Sequence, residues 1–382
     1  MFLRNAWYVG AWDHEVTAEK PFGRIMLNDP LVFYRKRDGG IVALEDRCCH
    51  RHYPLHRGCV VEDKLECGYH GLQYDSSGKC VRIPGQSLVP DSVRVRSYPV
   101  AERYHWIWVW MGDPALADPA KIPDFHWMND PAWRAKGTVF HVASNYELII
   151  ENLLDLSHLS FVHRSTIGNY ATAEQAQVDV TRTEQDVTVA RWMTDTPPPP
   201  TYVKAGGFKG NVDRWQFIRF TPPCFVRLDV GALDTGKGAP QLKHAAFAAE
   251  GRLPGGIEMR NMNAITPESE KTCHYFWAQA HNFMIDRPEI TEMLFGQIKE
   301  AFRQDWEVFE SQQKCIDLDP SAPRVNMSAD AGQIQSIRLL RRLIEDEAST
   351  CRGAEGESGP EPTLPRPAEY VGSKLVVRFC ST

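Results

Sequence analysis

The sequence predicts an α+β protein: an N-terminal all-β unit, then a larger mixed domain in which an antiparallel sheet is covered by helices. Three observations carry this. Residues 1 to about 112 hold only short runs of β-branched and aromatic residues bounded by Gly, Pro and Asp. Residues 287–313 hold the longest stretch with helical apolar spacing. Between them, Asp113 to Pro123 contains three Pro and no apolar period, which marks a boundary. The expected division is 1–115, 116–349, and a tail at 350–382 whose Gly/Pro/Glu-rich start reads as flexible.

In chain order, Arg24–Leu27, Leu31–Tyr34, Ile41–Leu44 and His105–Trp110 read as strands. Asp38-Gly39-Gly40 is a hairpin turn between two of them, and Ser76-Ser77-Gly78 is another turn. Tyr146 to Val162 is helix-like. Val178–Met193, Trp215–Leu233 and Ile257–Phe283 read as strands. Pro197–Pro200 and Gly206-Gly207 interrupt this run with a loop that either moves or covers a site. Arg287–Gln313 is the long helix, and Lys374–Phe379 reads as an isolated strand.

Composition narrows the function. A length of 382 residues suits about two domains with a substantial core. Hydrophobic residues at 43% and charged residues at 24% are ordinary globular values, which excludes disorder or a coiled coil as a whole-chain reading. A net charge of −6 is a poor match for a phosphate backbone, so no nucleic-acid partner is expected. Met1 to Gly10 lacks a secretory pattern and no run of 18 apolar residues occurs, so the expectation is a cytoplasmic protein with no membrane partner. Ten Cys at this length do not make a disulfide scaffold. In a reducing compartment, clustered Cys more often bind metal or catalyse.

The first such cluster is Cys48-Cys49-His50 followed by Cys67-Gly68-Tyr69-His70. Cys48 with His50, and Cys67 with His70, are each close enough to share one tight loop. Two facing loops then offer two thiolates and two imidazoles. That set holds either one tetrahedral zinc ion or a [2Fe–2S] cluster with two Cys on one iron and two His on the other. The Cys-His, Cys-His order favours the cluster, because zinc fingers usually pair Cys with Cys and His with His. Cys49 is too close to His50 to pair with it. Cys59, Cys80, Cys224, Cys273 and Cys315 are scattered and read as buried small apolar residues. His52 and His56 read as packing or surface residues.

The second cluster lies in Glu151–His163. Asn152, Asp155 and His158 are three apart and share one face of a helix. His163 is five further on and would point about 140° away, so both His reach one ion only if the helix bends or ends between them. Four polar groups among leucines are hard to dismiss as incidental, since each unpaired buried one costs ~1–3 kcal/mol. A third ligand comes from the late helix. Ile290, Leu294, Ile298, Phe302, Asp305 and Phe309 step by 4, 4, 4, 3 and 4, which puts Asp305 on the buried stripe. A bare carboxylate there is expensive without a cation. His158, His163 and Asp305 make a 2-His-1-carboxylate triad of the kind that holds non-haem Fe(II) with positions open for O₂.

The segment Cys48–Cys80, with His50-Arg51, Pro54-Leu55, Gly58 and Tyr69-His70-Gly71, resembles the Rieske iron–sulfur motif. Cys49 stands where the family often has Pro, and His52-Tyr53 replaces a smaller pair; neither is a ligand position. Asn152-x-x-Asp155-x-x-His158-x4-His163, followed by Asp305 in Gln304–Glu307 and then Gln312-Gln313, resembles the oxygenase component of Rieske non-haem iron oxygenases. The likeness is nearest to the vanillate O-demethylase branch and runs from Asn5–Tyr8 to Arg341–Ile344.

The resemblance implies a [2Fe–2S] cluster on Cys48, His50, Cys67 and His70, and a mononuclear Fe(II) on His158, His163 and Asp305. It implies a homotrimer in which Asp155 links His158 to His70 of the partner subunit, with Asn152 beside the iron. It also implies monooxygenation of a small aromatic substrate with O₂, ending in O- or N-demethylation or dealkylation; ring dihydroxylation to a cis-diol is the alternative. No G-x-G-x-x-G follows a strand, so electrons are expected from a separate reductase or ferredoxin. Arg47, Arg51 and Arg57 either dock that donor or support the fold. A zinc-binding or purely electron-transferring protein is the reading from another class.

Overall fold

The apolar runs of the first 112 residues form short antiparallel strands, as their alternation and Gly-rich turns dictate. A computed structural model describes residues 1–237 and 255–355. Its N-terminal region holds three small sheets. Trp7–Trp12, Trp106–Trp110 and Val100–Arg103 make one. Phe22–Met26, Asp29–Arg35, Ile41–Glu45 and Ser97–Tyr98 make the second. The third is the smallest, with strands Cys59–Val61, Lys64–Glu66, Gln73–Tyr74 and Cys80–Arg82. Both predicted turns sit between paired strands.

The C-terminal region is built on a seven-stranded antiparallel sheet. From one edge to the other it runs Arg134–Val142, Cys273–His281, Ile257–Pro267, Phe225–Asp234, Val212–Thr221, Val187–Thr196 and Gln177–Arg182. Three helices pack on it: Pro288–Leu318 at the first edge, Tyr146–Leu154 over the middle and Ala331–Glu355 towards the far edge. Ile290, Leu294, Ile298, Phe302, Asp305 and Phe309 are all buried, so the apolar stripe of the long helix is placed as its period requires.

The two regions share one hydrophobic core. The Trp108 ring lies 5.3 Å from Phe225 and 6.3 Å from Phe125, which joins the first small sheet to the large one. A second, smaller core around Tyr34, Leu55, Leu65 and Tyr74 includes Cys48 and Cys67. Between the regions, Asp113–Pro123 forms two short 3₁₀ turns, each capped by an Asp side chain.

Several elements depart from the sequence reading. Tyr146–Val162 is not one helix, because it stops at Leu154. Arg134–Val142 is an additional strand; its Arg134, Lys136 and Gly137 hide the alternation. Pro200–Gly206 is a helix rather than a loop: Pro200 takes the first-turn position that suits its fixed φ, and Gly207 ends it. Ala331–Glu355 is helical, so the flexible tail expected from residue 350 does not begin there. The rest of that tail, with Lys374–Phe379, lies outside the described residues. Among the described residues no helix is long and apolar enough to cross a membrane.

Trp108 is fully buried at the junction of the two sheets. Trp108→Ala is expected to destabilise the protein by about 3–5 kcal/mol. Because the core is shared, urea unfolding should remain a single transition for both regions, and two separate transitions would contradict the common core.

Candidate functional site

The first constellation is a pair of matched loops. Cys48 N donates to Tyr53 O (3.0 Å) and His52 N to Cys48 O (2.8 Å). In the second loop Cys67 N donates to Leu72 O (2.8 Å) and Gly71 N to Cys67 O (3.0 Å). The fourth residue after each Cys has positive φ, 57° at His52 and 71° at Gly71. The two loops therefore turn alike and present their side chains to one another. The His50 and His70 rings are 4.6 Å apart and solvent-exposed, whereas the two thiols are buried. Gly58 allows this approach, since a Cβ there would fall 1.9 Å from the main-chain oxygen of Glu66.

This geometry fits a cluster with an inner iron on sulfur and an outer iron on nitrogen. Burial pushes the Cys67 thiol up, and contact with Cys48 adds to this; main-chain N–H groups at Tyr69 and His70 act the other way. These buried thiols would bind as thiolates once a metal displaces their protons. The Tyr74 hydroxyl reaches Cys48 Sγ at 3.1 Å and Cys49 Sγ at 3.3 Å. Cys49 is exposed. So are Cys59 and Cys315, contrary to their expected burial, while Cys80, Cys224 and Cys273 are buried. His56 pairs with Asp46, and Arg47 with Glu45 at 2.8 Å.

The second constellation forms because the helix ends at Leu154. Asp155 adopts φ −119° and ψ 96°, and its Oδ1 accepts from Ser157 N (2.9 Å), starting a 3₁₀ turn over Leu156–His158. The chain then turns again through Leu159–Val162 and leaves His163 at its end. This break brings the two His together, with ring centroids 5.2 Å apart. Asp305 Oδ1 lies 3.0 Å from His163 Nε2 and 3.6 Å from His158 Nε2. One ligand atom from each of the three side chains lies within 4.8 Å of the others.

The far ring nitrogens are fixed. His158 Nδ1 donates to Asp155 O (2.6 Å) and His163 Nδ1 to Gln304 Oε1 (2.8 Å), so both Nε2 atoms face Asp305. This is how ligating imidazoles are normally oriented. Burial pushes His158 below the usual imidazole value, which keeps its lone pair available. At His163 burial acts the same way, but hydrogen bonds with Asp305 and Gln304 outweigh it and raise the value. A cation between His163 and Asp305 competes with that proton.

The triad predicted from sequence therefore converges. Asn152 Nδ2 donates to Asp305 Oδ1 at 3.3 Å, while its buried Oδ1 has no hydrogen-bond partner among the described residues. Asp155 differs from its expected placement. Ending the helix takes it off the face shared by Asn152 and His158, and within the chain it holds His158 by its main-chain carbonyl. Its carboxylate bonds Ser157 and lies 3.9 Å from Arg191. Gln304 was not singled out as functional in the sequence; its position beside Asp305 on the long helix was the available signal.

The triad opens into a cavity between the helices and the large sheet. Its walls are mainly apolar, including Leu156, Leu228, Val230 and Phe302. Thr201 and Tyr202 of the Pro200–Gly206 helix also line it, so the interrupted segment covers the site. The sheet adds Arg214, Gln216, Asn261 and Gln279, which sequence reasoning did not assign.

Residues 6–99 match the family model of the Rieske [2Fe-2S] domain, and residues 142–346 that of the vanillate O-demethylase oxygenase C-terminal domain. The chain belongs to the Rieske non-haem iron oxygenases. It is 41% identical to the toluene-4-sulfonate monooxygenase system iron-sulfur subunit of Comamonas testosteroni, over 91% of this chain and 98% of that one. It is 39% identical to a vanillate O-demethylase oxygenase subunit of a Pseudomonas strain, over 93% and 98%. The solved structure of dicamba monooxygenase bound to 3,6-dichlorosalicylic acid superposes with a TM-score of 0.82 at 34% identity, covering 91% of this chain and 99% of that one. The Rieske match decides for an iron–sulfur cluster over zinc. The C-terminal match decides for an oxygenase over a bare electron carrier. As a Rieske oxygenase the chain works with a [2Fe–2S] cluster and a mononuclear non-haem iron.

Asp305→Ala is expected to abolish mononuclear iron binding and turnover while leaving the visible spectrum of the cluster intact; loss of both centres, or of neither, would refute its assignment. Gln304→Leu should weaken iron affinity by roughly 10- to 100-fold, measured by titration of iron-depleted protein, because His163 loses its orienting partner.

Proposed function

We propose that this Rieske oxygenase removes an O- or N-alkyl group from a substituted aromatic compound by monooxygenation, in the cytoplasm, as a homotrimer fed by a separate reductase or ferredoxin. The observation that carries this reading is the His158–His163–Asp305 triad at the wall of a mainly apolar cavity, in a chain whose relatives include a vanillate O-demethylase. The relatives include two named O-demethylases, a chloroacetanilide N-alkylformylase and a toluene-4-sulfonate monooxygenase, which favours monooxygenation over ring dihydroxylation.

In this reading Cys48, His50, Cys67 and His70 hold the cluster, and His158, His163 and Asp305 hold the iron. When bound, the cluster delivers electrons singly and the iron activates O₂. The chain's own side chains position and exclude. Asn152 fixes Asp305, Asp155 and Gln304 fix the imidazoles, and the leucines and Phe302 keep water from the reacting carbon. A methyl ether, O₂, two electrons and two protons give a hemiacetal and water. The hemiacetal then collapses to a phenol and formaldehyde.

Asp155 and His158 also line an open surface cleft with Gln312 and Arg324. The exposed His70 suits an approach from outside. In the trimer, the Asp155 carboxylate would turn towards His70 of the partner subunit while its carbonyl keeps His158, giving a short route between centres.

Turnover of methoxy- and N-methyl-aromatics with a surrogate reductase should release formaldehyde in step with the dealkylated product; cis-diol formation would overturn the reading. Asp155→Asn should retain both metals and lower turnover by about 10- to 100-fold or more. Near-normal turnover would defeat the bridging role.

A further inference from the structure

Arg214 lies on strand Val212–Thr221, on the face that looks into the cavity with Gln216. It is only 2% exposed. A guanidinium carries five N–H groups and keeps its charge at any physiological pH. Two of its N–H groups are used, from NH1 to Thr172 Oγ1 (3.3 Å) and from NH2 to Ile167 O (3.2 Å). Its Nε is buried and has no hydrogen-bond partner among the described residues. The Tyr202 ring packs against the guanidinium, 4.7 Å from Cζ to centroid, and holds it flat against the cavity cover.

Among the described residues no carboxylate pairs with this charge. Among the described residues lining the cavity, Asp305 is the only acid, and its carboxylate faces His158 and His163. The nearby Asp155 lies 3.9 Å from Arg191, a second buried arginine behind Arg214. Burying an arginine without a counter-ion is costly, so such groups are ordinarily paired. Apart from the triad, the other described residues lining the cavity are uncharged: apolar side chains, the amides Asn152, Gln216, Asn261 and Gln279, and the hydroxyls of Thr201 and Tyr202.

We propose that Arg214 is the substrate-anchoring residue, and that the aromatic substrate carries an oxyanion substituent, a carboxylate or a sulfonate, which pairs with the free edge of this guanidinium. The proposal deepens the dealkylase reading and rests on it for the aromatic ring. The planar fork of Arg suits two oxygens of either group. Ring and anion then fix the orientation from one end, and the alkyl group is presented to the triad at the other. Arg214 thus sets specificity, whereas the triad sets chemistry.

The test is calorimetric binding to the holoenzyme under anaerobic conditions, with three probes of nearly one shape: 4-methoxybenzoate, 4-methoxybenzenesulfonate and the neutral isostere 4-nitroanisole. At least one anion should bind the wild-type protein roughly 10- to 100-fold more tightly than 4-nitroanisole, and the tighter anion identifies the substituent. Arg214→Gln should bring that ratio close to one, with the visible spectrum of the cluster unchanged; Arg214→Lys should retain part of it. Equal binding of all three probes to the wild type would overturn the proposal, and this comparison stands even if the variants do not fold. A preference that survives Arg214→Gln would overturn it as well. The two readings fail differently. Anions that bind through Arg214 but release no formaldehyde count against dealkylation alone. A neutral ether that binds and is demethylated as well as the anions counts against Arg214 alone.

Discussion

The carboxylate of Asp305 is 4% exposed and is carried into the protein by the apolar stripe of a 31-residue helix. A charge in that position costs several kcal/mol unless something compensates it. Much of the surrounding structure is arranged to do so. The helix from Tyr146 stops at Asp155 so that His158 and His163, which a continuous helix would separate, turn towards the same oxygen. Each ring is then tied at its other nitrogen, one by a main-chain carbonyl and one by Gln304. Three candidate ligands with two rigid supports and an adjoining cavity suit a cation with open positions.

The second centre is solved with different means. Its loops owe their shape to main-chain hydrogen bonds and positive-φ residues rather than to a helix, and their approach to Gly58. The thiols lie within a small core of their own, and the imidazoles lie at the surface. The first constellation is therefore exposed at its imidazole edge, whereas the triad is largely buried beside an apolar cavity. The common core around Trp108 fixes the first small sheet to the large one. Both constellations are thus carried by one packed body.

The two groups of candidate ligands were legible in the sequence because residue type and spacing are local properties. Cys48, His50, Cys67 and His70 are marked by two short intervals, and Asp305 by its phase in a regular apolar stripe. What was not legible depended on three-dimensional context. Spacing placed Asp155 on the helical face of Asn152 and His158, but the chain leaves the helix there, so its carbonyl and not its carboxylate meets His158. Strand alternation around Trp215 and Phe217 shows that Arg214 and Gln216 face the other way; it does not show that this face borders a cavity. The strand Arg134–Val142 and the helix Ala331–Glu355 were missed because charged residues interrupt their apolar patterns. Tertiary packing overrides local pattern at these elements.

Two different iron centres in one chain are what this structure serves, and their coexistence is open to direct measurement. Iron, zinc and acid-labile sulfide, quantified together on the fully loaded purified protein, test it most directly. The account predicts about three irons and two sulfides per chain with no stoichiometric zinc. Two irons with two sulfides and no further iron-binding capacity, or zinc in place of either centre, would contradict it.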